Sequence, residues 1–140
     1  MPIRSTAKTE LLKSVPLFEH CSKRELARIA GITNEIAVED GTVLISEGER
    51  GREFYVIVSG EVEVRRNGRK RATLGPGTYF GEIALLSQKP RTATVTAVTP
   101  LRLLVIADRD FVDLLDSIPE LWLKVARSLA ERISADDIAN

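Results

Sequence analysis

Two opposite charges stand out in "FGEIALLSQKPRTATV", Phe80 to Val95: Glu82 and Arg91, nine positions apart among apolar neighbours. A guanidinium offers a planar fork of donors that fits phosphate oxygens, and it keeps its charge at any physiological pH. An ionised carboxylate only accepts hydrogen bonds, so Glu82 repels phosphate and suits a hydroxyl instead. Gly81, just before it, permits a close backbone approach. A helical turn opening near Glu82 presents unpaired N–H groups, which favour an anion. A ligand with a phosphate, a nearby hydroxyl and a flat apolar part satisfies all of these, and a ribonucleotide is one. The competing reading is a surface ion pair across a loop, an arrangement that contributes little.

The surrounding sequence has to hold these residues in place. Residues 8 to 31 read as helical, interrupted at "VPLF", where Pro16 disfavours helix in the residue before it. Ser22 and Glu25 have capping-box spacing. From Ile36 to Ile106 the segments are short, rich in β-branched residues and separated by turn signals, as in a sandwich or barrel. Asn67-Gly68 predicts a type I′ hairpin, and "GPG" at Gly75–Gly77 another turn. From Asp108 the helical period returns. "DRDFVDLLDS" reads as one short helix and "SIPELWLKVARSLAERI" as a longer one, capped by Ser117 and Glu120. Trp122, Val125, Ala126, Leu129 and Ile133 share one face of it, and Trp122 reads as a packing residue. The tail "SADDIAN" is expected to fray. The fold class is therefore α+β: an antiparallel β-roll, jelly-roll-like, with N-terminal helices and two C-terminal helices.

The chain has 140 residues, 44% hydrophobic and 29% charged, which suits a single domain over 1–140 with an ordered core at about 10–134. Twenty basic residues balance twenty acidic ones. That neutrality argues against general nucleic-acid binding. The cluster "RRNGRKR", Arg65–Arg71, reads as a solvated hairpin tip that protects a sheet edge. One cysteine, Cys21, excludes an intrachain disulfide and fits a cytoplasmic setting. No signal-peptide core or membrane segment is read. His20 is the one histidine, so a cupin-type metal enzyme or a Ser/His/Asp triad lacks its parts. No metal, no cofactor and no catalytic residue is expected.

The stretch Phe80–Val95 also resembles the phosphate-binding cassette of cyclic-nucleotide-binding domains, of the kind in the catabolite activator protein and the protein kinase A regulatory subunit. The family pattern runs F-G-E-[IL]-A-L, a short loop, then P-R-x-A, and each position matches. The resemblance extends over about residues 10 to 134, through "EGERGREFYVIVSGEVEV" and both helical ends. It implies that Glu82 binds the ribose 2′-hydroxyl and Arg91 the cyclic phosphate. It also implies backbone donation around Ile83, Ala84 and Thr92, with Phe80, Gly81 and Ala93 completing the wall. Leu129 or Arg132 would cap the base. Thr92 is compatible with cyclic AMP and with cyclic GMP; the reading leans to cyclic AMP.

Two functions follow from these readings. The first is a non-catalytic cyclic nucleotide sensor whose C-terminal helices move on binding and act on an effector protein or fused effector domain. The second is a ligand-free interaction module, with the C-terminal helix as docking surface or homodimer seam.

Overall fold

The computed structural model of the chain describes residues 4–81, 85 and 90–139, with side chains as far as residue 131 apart from that of residue 5. It divides into two compact units: Thr33–Asp110, and Met1–Ile32 together with Phe111–Asn140. The first is built of strands and the second of helices.

Eight strands form the first unit: β1 (Thr33–Val38), β2 (Val43–Ile45), β3 (Glu53–Ser59), β4 (Val62–Arg66), β5 (Arg69–Leu74), β6 (Tyr79–Phe80), β7 (Thr94–Ala97) and β8 (Leu101–Ala107). They make two antiparallel sheets, ordered β1-β8-β3-β6 and β2-β7-β4-β5. Inward residues of both sheets share one core: Ile45, Val62, Val95 and Ala97 from one; Tyr55, Ile57, Phe80, Leu101, Leu103 and Val105 from the other. Burying each large side chain stabilises the fold by roughly 1.5–3 kcal/mol, so this core outweighs any single polar contact. β3 and β8 are not buried on the inward face alone. Phe54, Val56, Leu104 and Ile106 point the other way and are also fully buried. That explains why "FYVIV" and "LLVI" read as continuous apolar runs without strict alternation.

The turns follow their local chemistry. Asn67 and Gly68 have φ of 53° and 76°, the pair of positive values that a two-residue type I′ loop requires. They join β4 to β5, and β5 is an edge strand whose Arg69, Lys70 and Arg71 are exposed. The basic run is thus the solvated edge-strand tip expected of it. In "GPG", Gly77 takes φ of 83° and Thr78 N–H closes the turn on the Gly75 carbonyl at 3.2 Å.

The helical unit holds α1 (Ser5–Lys13), a 3-10 turn (Pro16–Phe18), α2 (Lys23–Gly31), α4 (Pro119–Ala139), and the larger part of α3 (Asp108–Ser117). Phe18 and Phe111, both fully buried, lie with ring centroids 5.7 Å apart. Ser22 caps α2 as its spacing predicts: its hydroxyl accepts from Glu25 N–H at 3.2 Å, and the Glu25 carboxylate accepts from Ser22 N–H at 2.8 Å. Lys124 of α4 also donates to that carboxylate, across 99 positions of sequence. Burial pushes Glu25 up, but the hydrogen bonds from Lys124 and Ser22 outweigh it and hold the carboxyl below its ordinary value.

Three sequence expectations need correction here. α4 begins at Pro119, so Ser117 belongs to the end of α3, where its hydroxyl donates to the Leu114 carbonyl at 2.9 Å. Proline at the first helical position set the boundary, not the cap spacing. The tail from Ser134 is helical, a continuation of α4 to Ala139. Trp122 is not a packed residue; it is 49% exposed, beside Leu123 at 54%.

The depressed Glu25 carboxyl has a pH consequence. Its contribution is complete above the ordinary value of 4.5 and is lost as pH falls through the lower folded-state value. Glu25→Gln is expected to flatten the acid limb of a stability–pH profile from urea unfolding; an acid limb as steep as in the wild type would contradict this.

Candidate functional site

Arg91 enters the strand unit between two fixed backbone points. Its N–H donates to the Glu49 carbonyl at 2.7 Å, and its own carbonyl accepts from Gly48 N–H at 2.8 Å. Pro90, immediately before it, forms an antiparallel bridge with Arg50. The Cα of Arg91 is therefore held by the segment leading into β3, and only the side chain remains to be placed.

That side chain turns along the same segment. Nη2 donates to the carbonyl of Glu53, and Nη1 to the carbonyl of Gly81 at 3.4 Å. Two glycines make the path possible. A Cβ on residue 51 would lie 2.1 Å from Arg91 Nε, and one on residue 81 would lie 2.6 Å from Nη1. Gly81 also has φ of 82°, which L side chains rarely adopt. The guanidinium thus rests in a channel that exists because two side chains are missing.

Its electrostatic state is unusual. Burial lowers its proton affinity, while electrostatic interaction with Tyr55 and Glu53 acts the other way. Among the described residues no carboxylate lies within salt-bridge distance of it; its polar partners there are backbone carbonyls. Carbonyl dipoles offset a desolvated charge only in part, so an anion at the remaining donors is favoured.

Beside the guanidinium is a cavity of about 240 Å³, with Leu44, Ser46, Glu49, Glu53, Tyr55 and Arg91 in its wall. Burial, with the Glu53 carboxylate, pushes the Tyr55 hydroxyl up to about 12, so it stays protonated. It donates weakly, at 3.5 Å, towards the Leu44 carbonyl and the Glu53 carboxylate. Its ring stacks on Phe80 at 4.9 Å, which ties the cavity wall to the core. A larger hollow of about 430 Å³ lies in the helical unit near Thr6, Lys13 and Leu26. No buried charge converges there, and size alone does not make a site.

The residues expected from sequence are distributed as follows. Phe80 is a core residue, Gly81 and Arg91 meet, Thr92 is exposed and Ala93 is half-buried. Leu129 is half-buried in the helical unit. Glu82, Ile83 and Ala84, and the side chain of Arg132, fall outside the described residues, as does the helical turn expected at Glu82. Sequence reasoning missed Gly51, Glu53 and Tyr55. The signal for Gly51 is a glycine inside "ERGREFY", just ahead of a strand that pairs with the one ending in Phe80.

Comparison with known proteins bears on this geometry. The family model of the cyclic nucleotide-binding domain matches residues 35–117, a span that includes the whole Phe80–Ala93 stretch. A cAMP-dependent protein kinase regulatory subunit from Yarrowia lipolytica is 43% identical over 106 residues, covering 74% of this chain and 28% of that subunit. Among solved structures, the N-terminal domain of a transcriptional regulator from Streptomyces coelicolor superposes with a TM-score of 0.84 at 30% identity, covering 92% of this chain and 94% of that one. The catabolite activator protein of Thermus thermophilus gives 0.72 at 29% identity, covering 89% and 61% respectively. The chain spans 28%, 22% and 25% of the lengths of three curated relatives, all named as regulatory subunits. The β-roll with helices at both ends is thus the fold of the matched structures.

The channel makes a local prediction. In Gly51→Ala the new methyl meets a movable side chain, so the protein should fold with stability within about 1–3 kcal/mol of the wild type. The Arg91 Nε–H resonance should shift by NMR; an unmoved resonance would mean that the guanidinium does not occupy this channel.

Proposed function

The chain belongs to the cyclic nucleotide-binding domain family, and from that premise we propose that its two units act as one non-catalytic sensor domain for a cyclic nucleotide. The observation that carries this reading is the half-buried Arg91 guanidinium, which has only carbonyl partners among the described residues and sits at the edge of a polar cavity. A cyclic phosphate there supplies the missing counter-charge. Glu82 takes the ribose 2′-hydroxyl, as a carboxylate can, and the backbone around Ile83, Ala84 and Thr92 donates to the phosphate. Gly81 and Ala93 allow the approach, and Phe80 holds the cavity wall through its stack on Tyr55. Leu129 or Arg132 of α4 covers the base. Cyclic AMP is the preferred ligand in this proposal, with cyclic GMP as the competitor.

Sensing follows if α3 and α4 have two arrangements that bind the nucleotide with different affinity. Binding then shifts the population towards the tighter one by that difference and no more. The effector is a separate protein or a further domain of a longer chain, and the setting is cytoplasmic. No helix among the described residues is long and apolar enough to cross a membrane.

A second reading is favoured by Trp122 and Leu123, adjacent and 49% and 54% exposed. Two large apolar side chains side by side on α4 suit a docking surface or a homodimer seam, with or without ligand.

Calorimetry with cyclic AMP and cyclic GMP tests the first reading: silence with both favours the second. Arg91→Ala is expected to weaken binding by ~2–5 kcal/mol, the range for truncating one member of a buried charge pair. Unchanged affinity would remove Arg91 from the site. Glu82→Gln should lose more affinity for the natural ligand than for its 2′-deoxy analogue, and equal losses would contradict the ribose role. Trp122, being on α4, should report helix movement as a change in fluorescence during the same titration; a flat signal at saturating ligand would argue against that movement.

A further inference from the structure

In the helical unit three ligating side chains converge. His20 Nε2 lies 3.3 Å from Glu131 Oε1 and 3.5 Å from Glu19 Oε1. One ligand atom from each of Glu19, His20 and Glu131 fits within 4.8 Å of the other two, and this is the one such group found among the described residues. Glu19 and His20 follow the 3-10 turn, whereas Glu131 comes from α4, 111 positions from His20. We propose that these three residues form a site for a zinc-class divalent cation, and that a bound cation staples α4 to the segment that leads into α2.

The spacing carries the argument. Zinc holds imidazole nitrogen and carboxylate oxygen at about 2.0–2.2 Å, so neighbouring ligand atoms in a tetrahedron stand about 3.3–3.5 Å apart. The two His–Glu separations fall at that edge length. An ordinary surface ion pair needs one carboxylate near the ring. Here two carboxylates from different segments are aimed at the same nitrogen, and the second Glu131 oxygen is also close, at 3.4 Å. With its proton on Nδ1, the imidazole turns the Nε2 lone pair to the point the carboxylates share, which is the form a metal takes. Two carboxylates and a neutral ring neutralise a divalent charge, and nitrogen-plus-oxygen donors suit zinc better than calcium or magnesium. Three protein ligands leave one position for water. The side chains are 41–58% exposed, so a hydrated cation reaches them directly.

Stapling is the consequence of topology. A single ion would bond both ends of a long loop of chain, which stabilises the bonded arrangement relative to the open one. Should α4 move as proposed above, the ion would bias that movement; metal binding itself does not depend on that reading.

The test is calorimetry of the nucleotide-free chain with zinc chloride, paired with amide hydrogen exchange. One saturable site is expected in the wild type, with exchange slowed in the α4 turn around Glu131. His20→Gln and Glu131→Gln keep exposed polar side chains and should fold as the wild type does by circular dichroism. Each should weaken zinc on the order of tenfold or more, since even outer-shell changes have that effect, and should lose the exchange protection. No saturable uptake, equal uptake in both variants, or uptake without slowed exchange would overturn the proposal. Because no nucleotide is present, failure here leaves the sensor reading untouched, and failure of the sensor reading leaves this one standing.

Discussion

A guanidinium that has left part of its hydration shell without gaining a carboxylate among the described residues is the constraint around which the strand unit is arranged. Arg91 is fixed at its backbone by Glu49 and Gly48 and at its tip by the carbonyls of Glu53 and Gly81. Each of these partners is main chain, so the positioning survives changes of side chain at most of them. The two residues whose side chains matter are Gly51 and Gly81, and they matter by having none. A charge held this firmly has little conformational freedom left to lose.

The rest of the strand unit supports that arrangement. β6 is two residues long, yet it pairs with β3 through Tyr55 and Phe80, whose rings stack inside the core. The Gly81 carbonyl follows directly from this pair, so the position of one guanidinium partner is set by core packing. The basic hairpin at the sheet edge obeys another logic. It keeps an exposed edge from pairing and shares no residue with the cavity wall.

The helical unit is held by different physics. Beneath it are buried aromatic and aliphatic side chains such as Phe18, Phe111 and Leu121. On top are polar ties from α4 to the N-terminal segment: Lys124 to Glu25, and Glu131 to His20. Polar ties of this kind are reversible under small changes of charge or ligand, whereas the aromatic core is not.

Local rules in the sequence determined a good deal here. Asn67-Gly68 fixed a hairpin, Pro16 broke a helix, and Ser22 with Glu25 capped the next one, because each depends on residues within a turn of one another. The Phe80–Val95 pattern marked Arg91 and Gly81, which the structure brings together. Spacing alone failed at Ser117, where Pro119 set the helix start, and at Trp122, whose own side chain is left exposed. Tertiary structure decided the strand order that places β8 between β1 and β3, the meeting of Gly51 with Arg91, and the ties of α4 to Glu25 and His20. These are contacts between residues some 40 to 111 positions apart. No local propensity encodes them; they exist because one core can bury its apolar surface only when these segments lie side by side.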